Sequence, residues 1–353
     1  MNTENVKLDF HDLRIKPEKT SSITSRSQID PYYHVNKKEF LPIFTAPMDT
    51  VINNENAKLF EKNKIHTIIP RGENPPRWGS QFRFKSVGLD EFIYQYINTD
   101  ENENHFQSAF TIYILIDIAN GHMEKLIEAT SNAKKIYGEK MVLMVGNVAN
   151  PETYKIFAEA GIDMVRVGIG NGNACLTTKQ TTIGYPMASL IKECCEIKKQ
   201  NGYSTKIIAD GGMKDFSDVI LALALGADYV MIGSLFNKSL ESCGDTYLFD
   251  KIKINQYSNF AKWLFKKKFK LTKKFRGMST KDVQKKWNKE KIKTSEGISK
   301  KQKVEYTISQ WVENFEDYLR STMSYSNAKN LNEFIGEVET IQISDKAYER
   351  FNK

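Results

Sequence analysis

Seven times along this chain a strand-like apolar run ends in a glycine or a short polar signature, and this repetition narrows the fold more than any single motif. The signatures are Pro47-Met-Asp-Thr50, Asp117-Ile-Ala-Asn-Gly121, Gly146-Asn-Val148, Gly168–Cys175, Asp210-Gly-Gly212, Gly233-Ser234 and Arg276-Gly-Met-Ser279. The expected strands are Leu41–Ala46, Ile65–Ile69, Thr111–Asp117, Met141–Gly146, Asp163–Gly168, Lys206–Asp210, Asp228–Gly233 and Lys268–Gly277. Helical periodicity lies between them, at Asn56–Lys62, Met123–Tyr137, Pro151–Ala160, Met187–Gln200 and Phe216–Gly226. Strands alternating with helices predict a parallel sheet. Eight of them fit an α/β fold of the (β/α)8 TIM-barrel type, which would gather the signatures at one face. A doubly wound sheet competes, but no switch point or second core is marked.

The 353 residues suit one barrel with insertions, expected over residues 1–335, followed by a tail at 336–353. No apolar run approaches the roughly 18 residues of a membrane span, so no membrane partner is expected. The polar start Met1-Asn-Thr-Glu-Asn is no signal peptide. Cys175, Cys194, Cys195 and Cys243 form neither a zinc spacing nor a disulfide framework, which points to a reducing cytoplasm. The net charge of +8 suits anionic ligands, either nucleic acid or phosphorylated small molecules.

Much of that charge lies in Asn259–Lys303, including Lys266-Lys-Lys268 and Lys273-Lys-Phe-Arg276. This segment reads as the last strand with its approach, then a mobile basic flap at about 280–303. Charge runs are usually solvated faces. Without regular aromatic interleaving, nucleic acid is the remote alternative. Tyr306–Met323 then reads as an amphipathic helix burying Ile308, Trp311, Val312, Phe315, Tyr318 and Leu319.

Chemistry concentrates in Asp163–Thr177, where strand residues run into Gly168, Gly170 and Gly172 and then Cys175. Glycines permit close backbone approach, so loop amides can face an anion while the sulfur faces an electrophile. The bland alternative is a turn with an inert cysteine. Cys194, Cys195 and Cys243 have no such loop and read as structural. The glycine spacing matches neither a dinucleotide fingerprint nor a P-loop.

Taken together, these motifs resemble the inosine-5′-monophosphate dehydrogenase and guanosine-5′-monophosphate reductase family. The resemblance runs from about Leu8 to Phe334 and adds Leu8-Asp-Phe-His-Asp12, Ser25-Arg-Ser27, Gly184-Tyr-Pro186 and Ser295-Glu-Gly297 to the signatures. It implies that Cys175 attacks C2 of a purine nucleoside monophosphate to form a thioimidate, a step that needs a thiolate. It implies that Thr177 and Glu296 serve proton transfer, and that Asp210 anchors the ribose. Gly211, Gly212, Gly233 and Ser234 then cradle the phosphate, while Met278, Ser279 and Gly297 complete the substrate site. Ser25, Arg26 and Asp117 match positions near a nicotinamide cofactor, NADPH or NAD. Arg71 lies where a basic residue could meet its 2′-phosphate. Gly170, Gly172 and Cys175 match carbonyls that bind potassium, and the family's usual state is a homotetramer.

The resemblance leans towards the reductase. A dehydrogenase must activate water on its flap with an Arg-Tyr pair, and residues 279–295 contain neither type. Phe275 and Asp117–Gly121 also follow reductase wording, and no CBS-type insertion is evident. Ala46-Pro-Met-Asp-Thr50 and Arg276 are closer to dehydrogenase usage. Asn173 replaces a phosphate-binding serine, Thr178 an arginine and Met187 a glutamine, so a deoxy or modified purine nucleotide stays open as substrate.

Overall fold

The computed structural model describes residues 6–35, 37–73, 83–98, 111–278, 280, 283 and 297–351. Its centre is eight strands: β1 Ile43–Thr45, β2 Ile68–Ile69, β3 Phe84–Val87, β4 Ile112–Asp117, β5 Met141–Val148, β6 Met164–Val167, β7 Lys206–Asp210 and β8 Tyr229–Ile232. They pair in the order β1-β8-β7-β6-β5-β4-β3-β2, each pair parallel. A parallel bridge between Phe44 and His66 joins the two ends. There His66 N donates to Ile43 O (3.0 Å), Thr45 N to His66 O (2.9 Å) and Ile68 N to Thr45 Oγ1 (3.0 Å). This is the (β/α)8 barrel that the alternation predicts.

One expected barrel strand is misplaced. Leu271–Arg276, within the predicted Lys268–Gly277, lies outside the barrel. It pairs antiparallel with Thr246–Leu248 and Ser299–Lys303, in a sheet completed by Ile252–Ile254. The eighth barrel member is instead β3, which has no place among the expected strands. Phe84-Lys-Ser-Val87, though followed by Gly88, is short and half polar, whereas 268–277 is longer and also runs into a glycine. With β3 in place, Gly211 and Gly233 follow strands seven and eight. The end of the expected flap, 299–303, is a strand; most of 280–296 lies outside the described residues.

Strands covered on both faces need apolar side chains on both, and their period of two sorts them. Phe44, Ile68, Phe84, Leu115, Met144, Ile208 and Met231 fill the barrel interior. Ile43, Ile69, Val87, Ile116, Val145, Ile207 and Val230 face the helices. His66 lies at the seam, stacked between Phe40 (4.3 Å) and Phe44 (4.8 Å). Burial pushes its pKa down to about 3, so it packs there as a neutral ring.

The expected helices form at Ala57–Lys62, Glu124–Tyr137, Pro151–Glu159, Met187–Asn201 and Phe216–Ala224. Local chemistry sets their starts: Asn150 accepts from Glu152 N (2.9 Å) with Pro151 in the first turn, and Asp215 accepts from Asp218 N (3.1 Å). Ile308–Tyr325 buries Ile308, Trp311, Val312, Phe315, Leu319 and Met323. Tyr318, expected among them, is 53% exposed. It lies at the edge of the apolar stripe, its ring 5.3 Å from Phe216. Further on, Thr340–Gln342 pairs antiparallel with Leu13–Ile15. The helix Asp345–Phe351 then sets Tyr348 against His11 (5.8 Å) and Arg14 (5.2 Å). Among the described residues no helix is long and apolar enough to cross a membrane.

Candidate active site

The inward parity that places Leu115, Met164 and Ile208 inside the barrel also turns Asp117, Arg166 and Asp210 inward, one layer nearer the strands' C-terminal ends. An apolar layer is thus capped by a charged one. Arg166, only 9% exposed, donates from Nε to Asp210 Oδ2 (2.9 Å) and from Nη1 to Asp117 Oδ1 (2.7 Å). Burial alone would lower its pKa, but the two carboxylates more than offset this and raise it. Asn147 Nδ2 donates to the same Asp210 Oδ2 (2.8 Å) and to Gly168 O (2.7 Å). Asp210 Oδ2 is therefore fixed twice, and Oδ1 makes no hydrogen bond among the described residues. A carboxylate held by one oxygen with the other open suits recognition of vicinal hydroxyls. Asp117 and Asp210 are expected here from the sequence; Arg166 and Asn147 are not. The available signal is a lone arginine between Val165 and Val167 at an inward position.

From β6 the chain enters the cysteine loop. Gly170 has φ +80°, and a Cβ there would lie 1.7 Å from Thr178 Oγ1, which itself donates to Ile183 O (2.7 Å). Gly211, with φ +90°, backs onto the same loop: a Cβ there would meet Gly172 N at 2.9 Å. Cys175 N donates to Gly172 O (2.9 Å), closing the turn. The partly exposed thiol donates from Sγ to Thr177 Oγ1 at 3.2 Å. Cys175 bridges antiparallel to Gly297, Ile298 N donates to Ala174 O (3.1 Å), and Gly277 N donates to Ile298 O (3.0 Å). These bonds draw Gly297 and the Gly277-Met278 turn up to the thiol. Ser279 and Glu296 lie outside the described residues. Burial pushes the Cys194 and Cys195 thiols up and that of Cys243 to about 12, in keeping with structural roles.

Gly211 and Gly212 follow β7, and Gly233 and Ser234 follow β8. Asn173 joins them: its Nδ2 donates to Ser234 Oγ (2.7 Å). Neutral polar side chains and glycine turns between two strand ends are the kind of place that suits an oxyanion such as phosphate. Met48 closes the side, its Sδ 2.8 Å from where a Cβ on Gly233 would stand. Arg276 pairs with Asp49 through Nε (3.1 Å) and through Nη2, tying the outer strand to the loop after β1.

Arg71 follows β2 and lays its guanidinium over Gly88 after β3, Nη2 lying 2.3 Å from where a Cβ on Gly88 would stand. It therefore shares the C-terminal face with Asp117. Ser25 and Arg26 do not join them. Ser25 caps the short turn Arg26–Gln28, which abuts Ile308–Tyr325, where Arg320 donates to Ile29 O. A groove of about 560 Å³, lined by Phe10, Arg14, Phe216, Asp218, Tyr318 and Tyr325, opens nearby. Phe10 separates it from the cradle, 3.5 Å from a Cβ position on Gly212. Burial above all pushes the Asp218 carboxyl up to about 6.

A closed barrel that gathers a loop thiol, two glycine turns and a tethered carboxylate at its C-terminal face defines the class as a (β/α)8 barrel with a candidate site at that face. Residues 98–350 match the model of the IMP dehydrogenase / GMP reductase domain, and the chain belongs to that family. It is 30% identical to a GMP reductase of Phytophthora infestans over 99% of this chain and 94% of that protein. The corresponding figures for a GMP reductase of Caenorhabditis elegans are 30%, 98% and 94%. For GMP reductase 2 of Homo sapiens they are 29%, 99% and 97%.

Proposed function

We propose that this chain is a GMP reductase, converting GMP to IMP and ammonia with NADPH through a thioimidate on Cys175. The observation that carries the reading is the placement of the Cys175 thiol. It lies against Thr177, beside Gly297 and next to the glycine cradle after β7 and β8.

Residue by residue, Asn173, Ser234 and the Gly211-Gly212 and Gly233 amides hold the phosphate, and the open oxygen of Asp210 accepts the ribose hydroxyls. This places the base over Cys175, whose sulfur adds to C2. Thr177 and Glu296 carry the proton that lets the 2-amino group leave as ammonia. NADPH, when bound, supplies the hydride to C2; collapse of the adduct then returns the thiolate. Asp117, fixed by Arg166, and Arg71 fit the cofactor's polar groups because both stand on the same face. Ser25 and Arg26 reach it only across the surface formed with Ile308–Tyr325. Potassium fits the carbonyls of Gly170, Gly172 and Cys175 as hard oxygen ligands, Gly172 O retaining one lone pair beyond its bond from Cys175 N. A cytoplasmic homotetramer belongs to the same reading.

The test follows NADPH absorbance with GMP, and NAD absorbance with IMP. Oxidation of NADPH by wild type and its loss in Cys175→Ala are expected. A silent GMP assay, full activity in Cys175→Ala, or turnover of IMP with NAD would overturn the reading. Deoxy-GMP in the same assay fixes the sugar preference.

A further inference from the structure

Four of the five exposed phenylalanine and tryptophan side chains among the described residues lie in one short stretch: Phe249, Phe260, Trp263 and Phe269. Their rings form a chain, with centroids 6.1 Å apart for Phe249–Phe269, 5.8 Å for Phe269–Trp263 and 6.2 Å for Trp263–Phe260. Ile252, in the adjoining strand Ile252–Ile254, is also exposed. The fold does not need these side chains. The helix Asn259–Lys266 docks through Ala261 and Leu264, and Leu264 packs in the cluster with Leu240, Leu271 and Val304. Phe260 and Trp263 therefore face solvent from a helix whose inner side is already satisfied. Single exposed apolar residues need no explanation, but a joined group of aromatic rings marks a contact surface.

Charge says what covers it. Residues 245–270 hold seven lysines against two aspartates. Lys253 takes Asp245 (2.7 Å) and Lys270 takes Asp250 (2.5 Å). Lys251, Lys262, Lys266, Lys267 and Lys268 are exposed and form no ion pair among the described residues. We infer that this insert is a membrane-surface anchor that seats on bilayers carrying anionic headgroups. The rings enter the boundary between headgroups and acyl chains, and the lysine ammoniums meet lipid phosphates. A nucleic-acid strand would stack its bases on ring faces spread along a groove. Here the rings lean on one another in a single patch. A second copy docked patch to patch about a two-fold axis would bring two strongly positive surfaces together. The lack of a spanning helix bears on crossing a bilayer, not on lying at its surface.

The experiment is flotation of the full chain with vesicles of phosphatidylcholine alone, and with vesicles containing about 30% phosphatidylserine. Binding to the anionic vesicles only is expected, falling as salt rises. Phe260→Ser/Trp263→Ser and, separately, Lys266→Glu/Lys267→Glu should each weaken it by about tenfold or more, each lysine near the surface contributing about 1 kcal/mol. All four positions are exposed, and an unchanged melting temperature and NADPH turnover would show that the fold and site survive. No binding to either vesicle, equal binding to both, or binding unmoved by either pair would overturn the inference. So would retention on an RNA oligonucleotide without vesicle binding, or a change of oligomeric state caused by the aromatic pair. Failure of the catalytic reading would leave the flotation result untouched, since none of these residues contacts Cys175 or its loop.

Discussion

Arg166 donates to Asp210 from inside the barrel at 2.9 Å, and its other arm holds Asp117 at 2.7 Å. One buried cation thus sets two carboxylates, one on the side proposed for the nucleotide and one on the side proposed for the cofactor. Arg166→Ala would leave both acids facing a desolvated space. A loss of about 3–5 kcal/mol in denaturant unfolding is expected, as for breaking a buried ion pair by removing one partner. Arg166→Lys keeps the charge but not the fork. It should fold, and raise KM for GMP more than it lowers kcat. An unchanged KM would show that Arg166 merely supports the fold.

The Cys175 thiol has its acceptor in Thr177 at 3.2 Å. Thr177→Val keeps the shape and removes the hydroxyl. If that hydroxyl moves a proton during ammonia loss, kcat should fall by about 10²–10⁴-fold with melting temperature unchanged. Adduct formation on Cys175, read by mass spectrometry, should persist. A kcat within a few-fold of wild type would remove Thr177 from the proton path.

Asn173 reaches Ser234 where the phosphate is expected. Asn173→Asp places a carboxylate in that cradle, and KM for GMP should rise by about 10–100-fold while kcat changes little, the pattern of lost uniform binding. Guanosine without its phosphate should be indifferent to the change. Equal effects on both compounds would argue that Asn173 only shapes the loop.

Lys273 is fully buried with its Nζ on the carbonyl of Ser242, and burial lowers its pKa to about 7 against the opposing pull of Cys243 and Glu241. Between about 7 and 10.5 the unfolded chain holds more protons than the folded one, so stability rises with pH across that window, by up to about 1.4 kcal/mol per pH unit. Below it the penalty is at its full value. Lys273→Met should therefore stabilise the protein most at pH 7 and progressively less towards pH 10. Thermal unfolding of both proteins over this range checks it, and a constant difference would refute the assignment.

The barrel is legible in the sequence because all its parallel strands but β3 are largely apolar on both faces and most end in a glycine or acid. The same rule misplaces the last strand. Leu271–Arg276 ends in Gly277 because that glycine turns towards the cysteine loop, not because the strand lies in the barrel. β3 escapes notice because two of its four residues are polar, its pairing coming from its neighbours and not its own pattern. Cys175, Asp210 and the glycines can be read from local motifs. Arg166 cannot, since its role depends on which strands close around it. Tyr318 shows the same limit on a helix: periodicity gives the buried stripe, but the groove at its edge belongs to the tertiary fold.

Leu13–Ile15 meets Thr340–Gln342 in an antiparallel ribbon, with Leu13 opposite Gln342 and Ile15 opposite Thr340. The preceding and following segments therefore leave from the same end of the ribbon. Tension applied through both would open it one rung at a time, beginning at Leu13–Gln342, instead of shearing all three rungs together. Because Leu8 is already bonded through its N and O to Ser189 of the helix Met187–Asn201 (2.7 and 3.0 Å), tension on the preceding segment would reach the barrel before it reached this clasp.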